Sequence, residues 1–155
     1  MNGSSHNSLS QPLIDLDDLR PRVGVGVLIT HDNKCLLGQR MGTIAELSYG
    51  FPGGHLEYGE SFFECAAREL REETGLILIQ ARFLCICNFI LEDKHYVDVD
   101  FIGEIQPGIP RVYEKKKARS WKFYSFDKLP MKMFEPAKLA IETYIQNNES
   151  CYDLR

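Results

Sequence analysis

Two hydrophobic periods alternate along this chain. From Val23, "VGVGVLITH" and "KCLLGQR" are apolar runs rich in β-branched residues or leucine, split by Asp32 and Asn33, and they predict adjacent strands joined by a tight turn. "SYGFPGG" ends a short strand at a glycine-rich turn, and "ILIQARFLCICNFI", "HYVDVDFIGEI" and "WKFYSF" continue as strands. The second of these has a clear period of two at Val97, Val99 and Phe101. The helical period occurs twice. Ser61 followed by Glu64 is a capping-box pattern and Gly75 is a C-terminal stop, which predicts a helix over about 61–74 with Phe63, Ala66, Ala67 and Leu70 on one stripe. "EPAKLAIETYIQNN" predicts a closing amphipathic helix with Leu139, Ala140, Tyr144 and Ile145 on one side.

Composition narrows the partners. The 155 residues, 44% hydrophobic and 26% charged, make one ordinary domain, expected over 21–155, behind a polar, flexible tail over 1–20 with no assigned chemistry. A net charge of −4 gives no general attraction to nucleic acid polymers or anionic membranes, so a polyanionic ligand needs local help such as a bound cation. No apolar run approaches the roughly 20 residues that span a bilayer. Five cysteines, with no CxxC pair and no apolar leader, point to a reducing compartment, with the cytoplasm as the expected location. Cys85 and Cys87 sit at strand spacing and read as small core residues.

"RELREETG", residues 68–75, places Glu69, Glu72 and Glu73 in the last turns of the first helix. Carboxylates three and four apart repel, and the C-terminal end of a helix already carries partial negative charge. The three fall on an arc expected to lie away from the apolar stripe, as a solvated acidic face would. Mere solvation, however, favours glutamates in the first turn. A divalent cation resolves the conflict by turning repulsion into shared coordination by hard oxygen ligands. The preceding "FPGGHLEYGE" adds two glycines, Gly53 and Gly54, where backbone carbonyls or amides can approach a metal or a phosphate closely.

Gly54 to Leu76, "GHLEYGESFFECAARELREETGL", resembles the Nudix box, Gly-x5-Glu-x7-Arg-Glu-U-x-Glu-Glu-x-Gly-U with U aliphatic. It agrees at Gly54, Glu60, Arg68, Glu69, Leu70, Glu72, Glu73, Gly75 and Leu76. The resemblance implies an α/β fold, an α/β/α sandwich around a mixed β-sheet, and hydrolysis of a nucleoside diphosphate linked to a further group. It implies Glu69, Glu72 and Glu73 as ligands of Mg²⁺ or Mn²⁺, joined by the Gly53 carbonyl, with Glu60 and Arg68 as an ion pair orienting loop and helix.

Outside the box, "VGVGVLI", "LLGQR", "HYV" and "SWKFYSFDKLP" are similar to MutT-like nucleoside triphosphate pyrophosphohydrolases, which yield a monophosphate and pyrophosphate. A hydrolase of a nucleotide sugar or ADP-ribose is the alternative, and a non-catalytic nucleotide sensor is a further one. By that likeness Arg40 binds phosphate, the alternative being an ordinary exposed strand-end arginine, and His55 with Gly54 borders the nucleotide; His95 and Tyr96 either line the nucleoside pocket or simply open a strand. The expected partners are a small nucleotide and, at most, a second copy of the chain. One departure concerns the base. Where such relatives are acidic before the late-strand Trp, this chain has "YEKKKARSW", leaving Glu114 as the carboxylate candidate beside Lys115, Lys116, Lys117 and Arg119. The base is then Glu114, a box glutamate or the metal's own water, and the lysines are either a solvated loop or a screen for substrate phosphates.

Overall fold

A computed structural model describes residues 19–42 and 45–155, so the tail expected over 1–20 lies almost wholly outside the described residues. Strands β1 (Arg22–His31) and β2 (Lys34–Arg40) form the expected hairpin, and Asp32 and Asn33 both adopt positive φ, as a tight two-residue turn requires. Two short strands follow, β3 (Tyr49–Gly50) and β4 (Gly53–His55), then helix α1 (Phe62–Thr74). A long hairpin of β5 (Leu78–Leu91) and β6 (Lys94–Ile105) comes next, then β7 (Ala118–Ser125), helix α2 (Glu135–Ile145) and β8 (Ser150–Asp153).

The sheet is mixed. Its order is β3-β2-β1-β6-β5-β8, with β4 on β1 and β7 on β2; β1 runs parallel to β6 and β5 parallel to β8. Alternation along β1 assigns its two faces. Val25, Val27 and Ile29 pack with Cys65, Ala66 and Leu70 of α1, whereas Leu28 packs with Ala137, Ala140 and Ile141 of α2. The helices therefore cover opposite faces, which makes the α/β/α sandwich. Val97, Val99 and Phe101 of β6 pair alongside β1 in this register and share the α1 face with Val25 and Val27. Cys85 and Cys87 are fully buried on the α2 face, in the role expected of them.

Two expectations need correction, and one element is added. Phe63 is 42% exposed, and the buried face of α1 is Cys65, Ala66, Leu70 and Thr74 with Glu69 and Glu73 among them. The helix is rotated from the simple apolar stripe because two of its glutamates turn inward. In α2 the face is Pro136, Ala137, Ala140, Ile141 and Thr143, while Ile145 points to solvent and the helix stops there, short of the Gln-Asn-Asn run. The strand β8 was not expected at all. Its four residues carry no period of their own, and they extend the sheet by pairing with β5, while Tyr152 hydrogen-bonds Thr143 at 2.7 Å. Among the described residues no helix is long and apolar enough to cross a membrane.

Candidate metal and nucleotide site

The capping box at the start of α1 is formed: Ser61 Oγ accepts from the Glu64 N–H, and the Glu64 carboxylate accepts from the Ser61 N–H. At the other end Gly75, with φ 76°, closes the helix by donating to the Arg71 carbonyl. Between these stops the helix leans on β4. Gly54 lies so close to Glu69 that any Cβ there would overlap its carboxylate. Gly53 donates its N–H to Glu73 Oε2 at 3.0 Å.

Arg68 ties the loop to the helix. It donates through Nε and Nη2 to the two oxygens of Glu60 at 2.6 and 2.9 Å, through Nη1 to Glu69 Oε1 at 2.6 Å, and through Nη2 to the His55 carbonyl at 3.1 Å. The ion pair expected between Glu60 and Arg68 is thus present, in the bidentate form. The guanidinium holds the Glu60 carboxyl down to about 2, helped by the Glu57 N–H.

Glu69, Glu73 and Glu114 bring carboxylate oxygens within 4.8 Å of one another. Glu69 and Glu73 are almost fully buried, and burial first, then the neighbouring Glu69, pushes the Glu73 carboxyl up to about 8 against the Gly53 N–H. Among the described residues, Oε2 of Glu69 and Oε2 of Glu114 are buried without an aligned hydrogen-bond donor. The ammonium of Lys117 faces both, with Nζ 3.5 Å from the first and 3.0 Å from the second. Burial lowers the affinity of Lys117 for its proton, but the contacts with Glu114, Glu69 and Glu73 outweigh this and the net shift is upward. Hard oxygen donors with surplus negative charge and unsatisfied lone pairs fit a divalent cation such as Mg²⁺ or Mn²⁺. Glu72 is placed differently. It borders the same cleft but is 43% exposed and faces Arg68 Nη1 at 3.5 Å.

The cluster opens into a cleft of about 500 Å³. Arg40, at an irregularity of β2 next to β7, lines it with its guanidinium 4.5 Å above the Phe134 ring. Tyr96 also lines it, stacked between His55 at 6.2 Å and Phe89 at 5.4 Å. His95 is not brought to the cleft. It points from the opposite face of β6 and bonds Asn88 Oδ1 at 2.6 Å. The sequence reading missed Asp98, which is half-buried, and Asp100, which is 3% exposed, both lining the cleft from β6, and it left Lys117 undecided. The signal for the aspartates was present, since they occupy the alternate positions of the strand whose valines were read as core.

The profile of the NUDIX domain matches residues 20–144. An ADP-ribose pyrophosphatase of Methanocaldococcus jannaschii is 31% identical over 130 residues, covering 83% of this chain and 75% of that protein. Among solved structures, a MutT NUDIX hydrolase of Burkholderia pseudomallei superposes with a TM-score of 0.76 at 29% identity, covering 80% of this chain and 98% of the other. A NUDIX hydrolase of Nitrosomonas europaea superposes at 0.73 with 25% identity, covering 83% and 91%.

Proposed function

The chain belongs to the NUDIX family and is a hydrolase of that family, and from this premise we propose that it cleaves nucleoside triphosphates to the monophosphate and pyrophosphate. The observation that carries this reading is Lys117. Its ammonium lies beside Glu69 and Glu114 with Lys115, Lys116 and Arg119 next to it in sequence, which adds positive charge where a third phosphate would extend. Arg40 lines the same cleft and offers its planar fork to phosphate oxygens.

Glu69, Glu73 and Glu114 would hold the cation, with Glu72 at the rim. When bound, Mg²⁺ or Mn²⁺ screens the phosphate charge, polarises phosphorus and acidifies the attacking water. The remaining work falls to the chain. Arg68 fixes the Glu69 carboxylate from behind, Gly53 fixes Glu73, and Glu114 takes the proton from water. The water oxygen bonds to the β-phosphorus, the bridging oxygen leaves with the monophosphate, and Arg40 steadies the departing end.

A panel of nucleoside triphosphates, nucleotide sugars and ADP-ribose, run with Mg²⁺ in ¹⁸O-water, tests this. The expected result is monophosphate and pyrophosphate with the label in pyrophosphate. Labelled inorganic phosphate from a triphosphate would overturn the reading. The second reading is hydrolysis of ADP-ribose or a nucleotide sugar, favoured by the M. jannaschii relative; AMP and ribose 5-phosphate from ADP-ribose, with triphosphates left intact, would establish it.

Lys117 yields a prediction with opposite signs on two constants. Replacing it by Ala removes a cation that competes with metal for Glu69 and Glu114, so Mg²⁺ should bind the metal-free variant about three- to tenfold more tightly. The triphosphate KM should meanwhile rise by about the same factor, as one phosphate partner is lost. Metal titration and steady-state kinetics read the two separately, and a variant that weakens both would show that Lys117 is only structural.

A further inference from the structure

Beside the glutamates, the cleft has a second group of buried polar side chains that the hydrolytic machinery does not use. Asp98 and Asp100 stand on the α2 face of β6, in register with Gly24 and Gly26 of β1. Their carboxylates lean over those glycines so closely that a Cβ on either would overlap them. The next row is Gly53 to His55 of β4, in register with Gly26 to Gly24. The floor therefore runs from the strand that contacts Glu69 and Glu73, across a lane without side chains, to two carboxyl groups. The backbones of β4 and β6 lie two strand spacings apart, about 10 Å, and the two carboxylates reach over β1 from the β6 side.

The two carboxyls are not equivalent. Burial pushes Asp98 up to about 6 while the Arg40 guanidinium draws it back, so it is mainly ionised at neutral pH. Asp100 is enclosed more deeply and is raised well above the ordinary carboxyl value by burial and by the Asp98 charge, against the hydrogen bond it accepts from the Cys85 thiol at 3.7 Å, so its protonated form is favoured relative to that of Asp98. Tyr96, one pleat along the same face, supplies an independent sign of an absent partner. It is 5% exposed, it lines the cleft, and its hydroxyl is buried with no hydrogen-bond partner among the described residues. A buried hydroxyl left unpaired is costly. The walls around this floor are aromatic, from Phe89, Tyr96 and Phe134.

We propose that Asp98, Asp100 and Tyr96 read the base of the nucleotide, and that they select a 6-oxopurine of the guanine type. The match is one of donors and acceptors. The Asp98 carboxylate accepts two hydrogen bonds, which the guanine edge supplies from N1–H and the exocyclic amine; the Tyr96 or Asp100 hydroxyl donates one, which O6 accepts. Adenine presents an acceptor at N1 and leaves one Asp98 oxygen unpaired, and uracil has no amine. The phosphates then lie toward Glu69 and Glu73 across the glycine lane. This selectivity rests on the nucleotide reading of the cleft above, but not on which anhydride bond is cut.

The test is therefore one of binding, with GMP, AMP, CMP and UMP titrated into the metal-loaded protein by calorimetry. GMP should bind at least about tenfold more tightly than AMP, the discrimination typical of a bidentate edge contact. Asp98→Asn places a donor where an acceptor is needed, and should lower GMP affinity about tenfold or more while AMP stays within threefold. AMP binding in the same variant is the control for folding, and should Asp98→Asn not fold, Tyr96→Phe reads the same preference by losing part of it. Equal binding of the four monophosphates, a preference for another base, or a uniform loss in both variants would overturn the proposal. If none of the four binds, the nucleotide reading of the cleft fails with it, whereas triphosphate hydrolysis without base preference would sink the base-reading role alone.

Discussion

Replacing Glu73 by Gln should lower turnover by on the order of 10² or more, and should make the metal-free protein more stable. The two effects have one cause. Glu73 is buried beside Glu69, the Gly53 N–H donates to it, and its carboxyl is raised from the ordinary 4.5 to about 8. A carboxyl whose folded value is raised favours the folded state while protonated. Its contribution is fully present below about pH 4.5 and is lost as pH climbs through about 8. In EDTA the melting temperature of the unmodified protein should therefore fall between pH 5 and pH 8.5, and Glu73→Gln should flatten that fall, since the amide never has to ionise. Added Mg²⁺ should reverse the order, stabilising the unmodified chain most at high pH and the variant little. At pH 7 metal binding should also release protons, visible as a buffer-dependent heat that the variant loses. Full turnover in excess EDTA, or a variant that melts lower in EDTA at pH 8, would show that Glu73 has a structural partner in place of a metal.

The box was legible because its chemistry and its backbone requirements coincide. Ser61, Glu64 and Gly75 fix where α1 begins and ends, Gly54 leaves room that Glu69 fills, and Glu60 and Arg68 pair as their charges suggest. Periodicity failed where charge is buried. A helical wheel sends glutamates outward, so it misplaced the inward face of α1, and Phe63 with it. The same blindness hid Asp98 and Asp100. Valine at alternate positions marks one face of β6 as core, and nothing in a single strand says that the acids between them face a lane of glycines on β1. That is a fact of parallel register, which sequence spacing does not express. Glu114 could be singled out by elimination, but its approach to Glu69 and Glu73 depends on the loop carrying Tyr113, whose N–H donates to the Glu73 carbonyl at 3.3 Å. The strand β8 could not be read because four residues are too few to display a period.

Arg68→Ala should cost both the fold and the reaction, and for separable reasons. Its guanidinium is the common partner of Glu60 in the loop, Glu69 in the helix and the His55 carbonyl in β4. Glu69 is 4% exposed, so removing Arg68 leaves a buried carboxylate with Lys117 as its remaining counter-charge. Breaking one side of a buried pair costs about 3 kcal/mol or more, equivalent to a fall of about 10 °C in Tm for a domain of this size. Turnover should fall by about 10- to 100-fold, the usual effect of losing a group that orients a metal ligand. Arg68→Lys should fall between the two, because an ammonium keeps the charge but cannot span Glu60 and Glu69 at once. Acid separates the loop contribution from the helix contribution. The Glu60 carboxyl is held down to about 2, so its share of stability is fully present above about pH 4.5 and is lost as pH falls toward 2. The gap in Tm between the unmodified chain and Arg68→Ala should hence be widest near neutral pH and narrow below pH 4.5. Metal affinity measured at pH 7 completes the case: Arg68→Ala should weaken Mg²⁺ binding, and a variant that binds Mg²⁺ normally yet melts early would assign Arg68 to the fold alone.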